Sequence, residues 1–226
     1  MTSGLNTYDI DPPVLNPDGI AESQTVSADD LALDGDLCDS GTSAQFDIGD
    51  SYGSAIRGVK LVFDAAGDIS SAIFTITGQD EYGVDITEVV TGVDTSGVET
   101  TNYYSQVTVI AVTVAEAAAV FVGTINGAMV GPSIVLNRYS QSGAAVSIAG
   151  MSGTMSWSIE QTFDPVAQTG ISTSVVWAPP GDTALTTTTA NTSGALERSA
   201  TGVRLVINSY TDTAELQFSV ASNPYR

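Results

Sequence analysis

The sequence predicts an all-β protein with an antiparallel β-sandwich or jelly-roll-like fold. Three observations predict it: alternation of apolar and polar residues, turn residues at short intervals, and a composition poor in charge. Hydrophobic residues make up 42% of the chain and charged residues 14%, whereas about 25% of a typical globular domain is charged. The polar surface must therefore consist mainly of Ser, Thr, Asn, Gln and Gly. A length of 226 residues is enough for one large domain or two smaller ones.

Strict alternation marks the individual strands. In the clearest case Met155, Trp157 and Ile159 alternate with polar neighbours, which places one face in a core and the other in water. The same period recurs over residues 84–87 and 216–220. Turn-forming sequences separate the β-rich runs at residues 65–68, 78–83, 95–97 and 142–143. One short segment, residues 115–119, is the helix candidate, with a length of about one and a half turns.

The chain divides into an arm and a β-rich remainder. Residues 1–20 contain Asp11-Pro12-Pro13 and Asn16-Pro17-Asp18-Gly19, which favour extended and turn conformations and cannot enter a central strand. We predict an extended N-terminal arm that a neighbouring subunit orders. A first β-sandwich module is predicted over 21–150, and 151–226 forms a second module or continues the same sandwich.

An internal similarity bears on whether there are two modules. The run Gly58-Val59-Lys60-Leu61-Val62-Phe63-Asp64 corresponds position by position to Gly202-Val203-Arg204-Leu205-Val206-Ile207-Asn208. Each run leads through a polar turn into another β-rich run, at 72–77 and 214–220, so each pair is predicted to form a hairpin. Either the two modules are related, or short β-rich hairpins simply resemble one another. Residues 178–189, with two prolines and four consecutive threonines, are predicted to project as a loop.

The lack of His and the near-absence of Cys exclude much chemistry. The chain has no His, the commonest general base and metal ligand, and Cys38 is its single cysteine. Neither an intrachain disulfide nor a cysteine-based zinc site can form. We therefore predict a protein that is not an enzyme, and we assign no catalytic, cofactor-binding or metal-binding residues and no cofactor.

Several acidic groups have the residue types of functional sites. Asp34, Asp36 and Asp39 could offer oxygens to Ca²⁺, but Cys38 stands where an EF-hand needs an oxygen ligand, so a solvated acidic turn is favoured. The carboxylate pairs Asp80 with Glu81 and Asp85 with Glu88 have the residue types of a glycosidase, which needs two acids across a cleft. Nothing in the sequence selects either pair.

The aromatic residues have structural explanations. Trp157 and Trp177 lie on or beside strand patterns, where core packing accounts for them. Tyr103-Tyr104 is interpreted as the cap of a strand pair, with a contact surface as the alternative. Asn191-Thr192-Ser193 matches a glycosylation sequon, but we interpret it as turn residues.

Charge is unevenly distributed along the chain. There are 26 acidic and 6 basic residues, a net charge of −20, and 11 of the acids precede Arg57, the first basic residue. This field repels phosphate, so no nucleic-acid partner is expected. Residues 1–18 lack the basic and apolar parts of a secretory signal, and the apolar stretch 107–135 is too interrupted to cross a membrane.

The charge-poor part of the chain is predicted to mediate self-association. Only four of the 80 residues over 117–196 are charged, namely Arg138, Glu160, Asp164 and Asp182. Copies that each carry −20 repel, so contacts should form where charge is scarce. We predict a homo-oligomer, with a closed trimer as the favoured state.

One stretch resembles a known group of proteins. The run Ile73-Phe74-Thr75-Ile76-Thr77-Gly78-Gln79-Asp80-Glu81-Tyr82-Gly83-Val84-Asp85 and its continuation to Val109 resemble β-modules in small virion proteins of tailed bacteriophages. Residues 202–220 are similar to closing strands in the same group. The likeness covers about a quarter of the chain. It implies a place in the virion, with the major capsid protein or neck and tail proteins as partners, and it brings no catalytic residues.

These observations lead to one functional hypothesis with two alternatives. We predict a bacteriophage virion structural protein, a capsid decoration or cement protein that bridges shell subunits. The alternatives are a neck or tail accessory component and a carbohydrate-binding adhesion module. An exposed aromatic platform would favour adhesion, whereas buried tryptophans would favour assembly.

Overall fold

The chain is an all-β protein of antiparallel sheets, as predicted. The computed structural model describes residues 4–12, 15–25, 27, 29–39, 45–48, 56–94, 97–114, 118–124, 128–136, 144–164, 175–197, 199–211 and 213–222. In these residues no helix has the length and apolar character needed to cross a membrane. The fold divides into two compact units, unit 1 (Met1–Val14 and Val130–Arg226) and unit 2 (Leu15–Met129).

Unit 2 contains two antiparallel sheets. Its strands are β2 (Ala21–Thr25), β3 (Phe46–Asp47), β4 (Gly58–Val59), β5 (Val62–Ala65), β6 (Ile73–Asp80), β7 (Asp85–Thr91), β8 (Val98–Glu99), β9 (Tyr104–Val114) and β10 (Ala119–Gly123). One sheet has the order β2-β10-β5-β8. In the other, β9 pairs with β3, β4 and β6, and β6 pairs with β7.

The two sheets of unit 2 enclose a hydrophobic core. Phe63 of β5 and Phe74 of β6 come from different sheets, and their ring centroids are 4.8 Å apart. Along β6 the even-numbered residues 74–80 are buried and the odd-numbered ones are not. Gly78 is required where β9 bulges towards β6, because an added Cβ would lie 2.0 Å from the Gln106 carbonyl oxygen. The pattern is that of a sandwich with one face of each strand in the core.

Unit 1 combines the first strand of the chain with the C-terminal half. Its strands are β1 (Gly4–Ile10), β12 (Ile134–Val135), β13 (Ala144–Ser152), β14 (Met155–Thr162), β15 (Thr192–Ala195), β16 (Gly202–Tyr210) and β17 (Glu215–Ser222), while β11 (Met129–Val130) lies at the unit boundary. One sheet has the order β1-β17-β13-β15. In the other, β16 pairs with β12 and β14.

The predicted faces of the unit 1 strands are confirmed. Met155, Trp157 and Ile159 are buried, and so are Leu216 and Phe218 of β17. The indole Nε1 of Trp157 donates to the Met151 sulfur at 3.4 Å. Burying these side chains contributes on the order of 2 kcal/mol each to stability.

Gly4–Ile10, within the predicted arm, is extended, and its pairing partner lies in its own chain. It forms the edge strand β1, which pairs with β17 over seven residues, from Gly4 opposite Ser222 to Ile10 opposite Leu216. Pro12 follows closely after the strand, which agrees with the confinement of proline to strand ends and edges. In the described chain this segment therefore pairs with β17, while its ordering by a neighbouring subunit stays a prediction.

The compact units differ from the predicted ranges of 1–20, 21–150 and 151–226. The predicted boundary near residues 149–153 falls inside the β13–β14 region, where Gly150 and Gly153 have φ of 62° and 64°. Gly150 lies inside β13, at an irregularity in its register, and Gly153 lies between β13 and β14, which belong to one unit. A glycine-rich turn and an inter-domain linker have the same local composition, so the sequence could not distinguish them.

The two predicted hairpins do not form. β5 pairs with β8 and β10, whereas β6 pairs with β7 and β9. In unit 1, β16 pairs with β12 and β14, whereas β17 pairs with β1 and β13. Each connection therefore carries the chain from one sheet to another. Sequence adjacency favoured a hairpin, but sandwich connections also cross between sheets.

The predicted loop over 178–189 is corrected by the structure, and the predicted helix over 115–119 lies mostly outside the described residues. The loop predicted to project over 178–189 is paired with β14 at two points, since Thr188 exchanges both backbone hydrogen bonds with Trp157, at 2.8 and 2.9 Å, and Ala178 does so with Gln161. This segment therefore pairs with the open edge of β14. Most of the helix candidate, residues 115–117, lies outside the described residues, and Ala119 begins β10.

Candidate functional site

The acidic residues considered for catalysis act as acceptors for nearby groups. Asp80 is buried, and its Oδ1 accepts from Tyr82 N at 2.9 Å and Val84 N at 3.0 Å, which closes the β6–β7 turn. Asp85 accepts from the Gln79 side chain at 3.1 Å. Both carboxylates therefore have a structural role in the β6–β7 hairpin.

Glu88 stabilises the loop that precedes β9 by accepting hydrogen bonds from it. Its carboxylate accepts from Thr101 N at 2.6 Å, from Asn102 N at 3.1 Å and from Asn102 Nδ2 at 2.9 Å. The Tyr104 hydroxyl also donates to it, at 3.4 Å. Burial first, and then the charge of Glu88 and the hydrogen bond to it, raise the pKa of Tyr104. Tyr104 is fully buried where β9 begins, in agreement with the interpretation of a strand cap.

The acidic turn considered for calcium is attached to β2 by hydrogen bonds. Asp34 Oδ1 accepts from Glu22 N at 2.9 Å. In the described part of the chain no group of three His, Cys, Asp or Glu residues is close enough to hold a metal ion. Cys38 donates to the Ile20 carbonyl oxygen at 3.3 Å, and burial, with Asp34 and Asp39 nearby, raises the pKa of its thiol to about 12.

The two tryptophans lie in different environments. Trp157 is fully buried, whereas Trp177 is half-buried and its ring centroid lies 4.5 Å from the Arg204 guanidinium carbon. Arg204 is itself buried and donates from Nε and Nη2 to Glu160 Oε2, at 2.8 and 2.7 Å. Among the described residues Phe163 is the exposed aromatic side chain. No flat aromatic platform for sugars is present in that part of the chain.

The outer face of one unit 1 sheet has an unusual composition. We call it the unit 1 face; it consists of the residues of β1, β17, β13 and β15 that point away from the core, in aligned cross-strand rows: Leu5, Ala221, Ala145 and Ala195; Thr7, Ser219, Ser147 and Ser193; and Asp9, Gln217 and Ala149. All are exposed or half-buried. Solvent-facing sheet surfaces normally carry long polar and charged side chains, but these rows hold mostly short uncharged ones, with Asp9 in the last row and Glu215 of β17 just beyond it.

Unit 2 has a face of the same character. The unit 2 face is formed by β7, β6 and β9, in four rows: Thr91, Ile73 and Val114; Val89, Thr75 and Ala111; Thr87, Thr77 and Val109; and Asp85, Gln79 and Gln106. Val89 is 63% exposed, and Leu5 on the unit 1 face is 61% exposed. Each face therefore offers hydroxyl and apolar groups with little charge.

In the last row of each face a carboxylate is hydrogen-bonded to a glutamine of the neighbouring strand. On the unit 1 face Gln217 Nε2 donates to Asp9 Oδ1 at 2.9 Å, and on the unit 2 face Gln79 Nε2 donates to Asp85 Oδ1 at 3.1 Å. Each carboxylate lies in the last row of its face. The remaining rows are free of charge, so another protein surface can cover them without desolvating an ion.

A depression lies at the charged end of the unit 1 face. Its volume is about 410 Å³, and its lining includes Asp9, Asp11, Gly150, Glu215 and Gln217. Three of these are carboxylates, and the lining lacks the aromatic walls that are typical of small-molecule pockets. The depression marks the boundary between the uncharged rows and the acidic surface.

Neither face was evident from the sequence. Association was predicted over residues 117–196, which include Ala145, Ser147, Ser193 and Ala195 but neither β1 nor β17. The available signal was the short uncharged residues at alternate positions of several strands, for example Ala145, Ser147 and Ala149. Their assembly into rows depends on strand register, which local sequence does not give.

Comparison with known proteins gives no relative for this chain: no family model, curated protein or solved structure matches it.

Proposed function

We propose that this chain is a structural, non-enzymatic protein of a tailed-bacteriophage virion that decorates the capsid and bridges its shell subunits. The observation that carries the proposal is the pair of charge-poor sheet faces, one in each unit. Such faces suit a protein whose role is to be covered by others. The resemblance of residues 73–109 and 202–220 to small phage virion proteins supports the virion as the setting.

The charge distribution supports assembly through these faces. Each copy carries a net charge of −20, so copies repel one another and any acidic shell surface. Contacts in which carboxylates become buried cost several kcal/mol per unpaired ion. The uncharged rows avoid that cost, because their Ser and Thr hydroxyls can hydrogen-bond across a contact and their Ala and Val side chains can be buried.

The size of each face indicates many weak contacts. The unit 1 face has four strands, and the three gaps between them, at about 4.8 Å each, give a width of about 14 Å. Along β1 it extends from Leu5 to Asp9, and these four steps of about 3.4 Å give a similar length. A stable two-protein contact buries about 800 Å² on each partner, several times that area. The proposed partners are therefore further copies, with a trimer as the favoured homo-oligomer, together with the major capsid protein. A neck or tail position is the alternative within the same class.

The location is tested by a cryo-EM map of the particle that contains the chain. We expect its density on the capsid shell, in contact with more than one shell subunit. Density confined to the neck or tail would support the alternative. Absence of the chain from purified particles, tested by mass spectrometry, would refute the virion assignment.

The role of the faces is tested by adding one charge to each. We expect Ala145→Asp and Val89→Asp to weaken binding to particles at least about tenfold each, or about 1.4 kcal/mol, because a carboxylate would be buried. Ser23→Asp is the matched control, since Ser23 is an exposed residue of β2 outside both faces. Equal binding by all three variants, with unchanged circular dichroism, would show that the faces do not mediate attachment.

A further inference from the structure

The first strand of unit 1 is separated in sequence from the rest of that unit. β1 belongs to unit 1, but all of unit 2, Leu15–Met129, intervenes before unit 1 resumes at Val130. Among the described residues β1 has one strand partner, β17, and lies at the edge of its sheet. An edge strand with one partner can leave its sheet without breaking any other strand pairing among the described residues.

We propose that β1 is an exchangeable strand, so that Gly4–Ile10 of one copy pairs with β17 of a second copy in the register that it uses within its own chain. The crowded setting in which exchange is favoured rests on the proposed function; the strand geometry does not. Exchange of an identical element between copies is a low-cost route to an oligomer, because it needs no new contact surface.

Besides the backbone pairing with β17, few side-chain contacts have to be broken for β1 to leave its own sheet. Of Leu5–Ile10 only Ile10 is buried, and Tyr8 is half-buried with its ring 6.4 Å from that of Phe218. The two side-chain hydrogen bonds of the pairing, Thr7 with Ser219 at 3.1 Å and Gln217 with Asp9 at 2.9 Å, are both exposed to water. Water can replace them while the strand is detached.

The partner that fits best is a second copy of this chain. Across the pairing, Ile10 fills a buried position, Tyr8 stacks on Phe218, and Asp9 meets a glutamine donor. A second copy supplies all of these at once and in register, whereas an unrelated extended segment would supply the backbone hydrogen bonds alone. The occupant is therefore specified by side chains as well as by the open edge.

The connection after β1 limits how far the strand can reach. It reads Asp11-Pro12-Pro13-Val14, and prolines hold φ near −65° and favour an extended chain. Five Cα steps from Ile10 to Leu15 span at most about 18 Å. The end of the second copy's β17 that receives Ile10 must therefore lie within about 18 Å of Leu15 of the first copy. Exchange consequently links only closely packed neighbours.

Concentration decides between the closed and exchanged forms. Within one chain β1 and β17 are covalently linked, so β1 meets the β17 of its own chain at a high effective concentration. A dilute solution therefore favours the closed form, whereas a dense array of copies makes exchange competitive. Reciprocal exchange gives a dimer, and head-to-tail exchange around a closed ring gives a cyclic oligomer.

Cysteine trapping in mixed chains tests the proposal. In a Cys38→Ala background, one protein carries Thr7→Cys and another carries Ser219→Cys; their hydroxyl oxygens are 3.1 Å apart in the paired strands, so the replacing sulfurs are within disulfide reach. The two full-length proteins are refolded together, concentrated and oxidised. We expect a disulfide-linked heterodimer on a non-reducing gel.

The matched control uses a pair that cannot exchange. Ser147 of β13 also lies directly opposite Ser219, but β13 is internal to the chain and to its sheet. Mixed Ser147→Cys and Ser219→Cys chains measure random collisions between copies. We expect the heterodimer from Thr7→Cys and Ser219→Cys to exceed this background several-fold and to increase with protein concentration.

A single chain that carries both Thr7→Cys and Ser219→Cys verifies the closed pairing. If it forms only an internal disulfide while the mixed chains stay at background, exchange is refuted. If it forms no disulfide at all, the β1–β17 pairing itself is refuted, and exchange with it. These measurements use the purified protein, so their failure is distinct from absence of the chain from virions, which refutes the proposed function alone.

Discussion

At the scale of single residues, a buried charge is tied to specific partners. Arg204 is 6% exposed, and its guanidinium is held by Glu160 on one side and by the Trp177 ring on another. Trp177 belongs to the segment that pairs with the edge of β14 through Ala178. The cluster therefore anchors that segment through an ion pair and a ring contact.

Removing the carboxylate of this cluster should be costly. We expect Glu160→Ala to lower the free energy of unfolding by about 2–4 kcal/mol, because the buried guanidinium loses the Glu160 carboxylate, with a reduction for the partial exposure of Glu160. The matched control is Lys60→Met, which removes the more exposed pair with Glu99 and should cost less than about 1 kcal/mol. Urea unfolding curves measure both. Equal losses would contradict a special role for the buried pair.

The Cys38 thiol should make stability depend on alkaline pH. Its pKa is raised from 9.0 to about 12 in the folded chain, so the folded state keeps a proton that the unfolded state releases. Below pH 9 the stabilisation is complete, and it is lost as the pH rises from 9 towards 12, by up to about 1.4 kcal/mol per pH unit. Cys38→Ala removes this contribution and should flatten the profile. Unfolding measured across that interval tests it, and identical slopes would contradict the prediction.

At the scale of elements, close approach of backbones decides which substitutions a strand accepts. β6 and β9 pair along eight residues with three irregularities in register, and one of them brings the Gln106 carbonyl over Gly78. The sequence pattern predicted Gly78 to lie in a turn, but it lies inside β6. Glycine is needed at this position because no side chain fits there.

Gly78→Ala should therefore be strongly destabilising. An added Cβ would lie 2.0 Å from a backbone oxygen that cannot move without distorting β9, so we expect a loss of at least about 2–3 kcal/mol. Gly181→Ala is the control, because its Cβ would first meet the flexible Glu197 side chain at 3.3 Å. Thermal unfolding followed by circular dichroism compares them. A loss of less than about 1 kcal/mol in Gly78→Ala would show that β9 can adapt.

At the scale of the whole molecule, electrostatics separates repulsive surface from candidate contact surface. The net charge of −20 acts between all copies, while the charged side chains of the unit 1 face and the unit 2 face are confined to one end of each. Added salt screens the repulsion and leaves burial of apolar and hydroxyl groups almost unchanged.

Self-association should therefore strengthen as salt is added. We expect the sedimentation coefficient at fixed protein concentration to rise with ionic strength, because screening removes repulsion and breaks no essential ion pair. Ala221→Asp, in the unit 1 face, should lower the association at every salt concentration. Dissociation on addition of salt would instead mean that ion pairs hold the copies together.

The sequence by itself determined the fold class and the face that each clear strand buries. Alternation with a period of two fixes the two sides of a strand locally, so the pattern alone assigned Met155, Trp157 and Ile159 to the core, where they lie. Composition likewise fixed the absence of His and the single cysteine, and with it the absence of an intrachain disulfide.

Strand partners were decided only by the tertiary structure. The runs beginning at Gly58 and Gly202 resemble hairpins in sequence, yet β5 and β6 enter different sheets, as do β16 and β17. The rows of the unit 1 face combine residues as distant as Leu5 and Ala221, and β1 belongs to a unit that resumes only at Val130. Pairing depends on long-range contacts and backbone register, and these are properties of the packed chain as a whole.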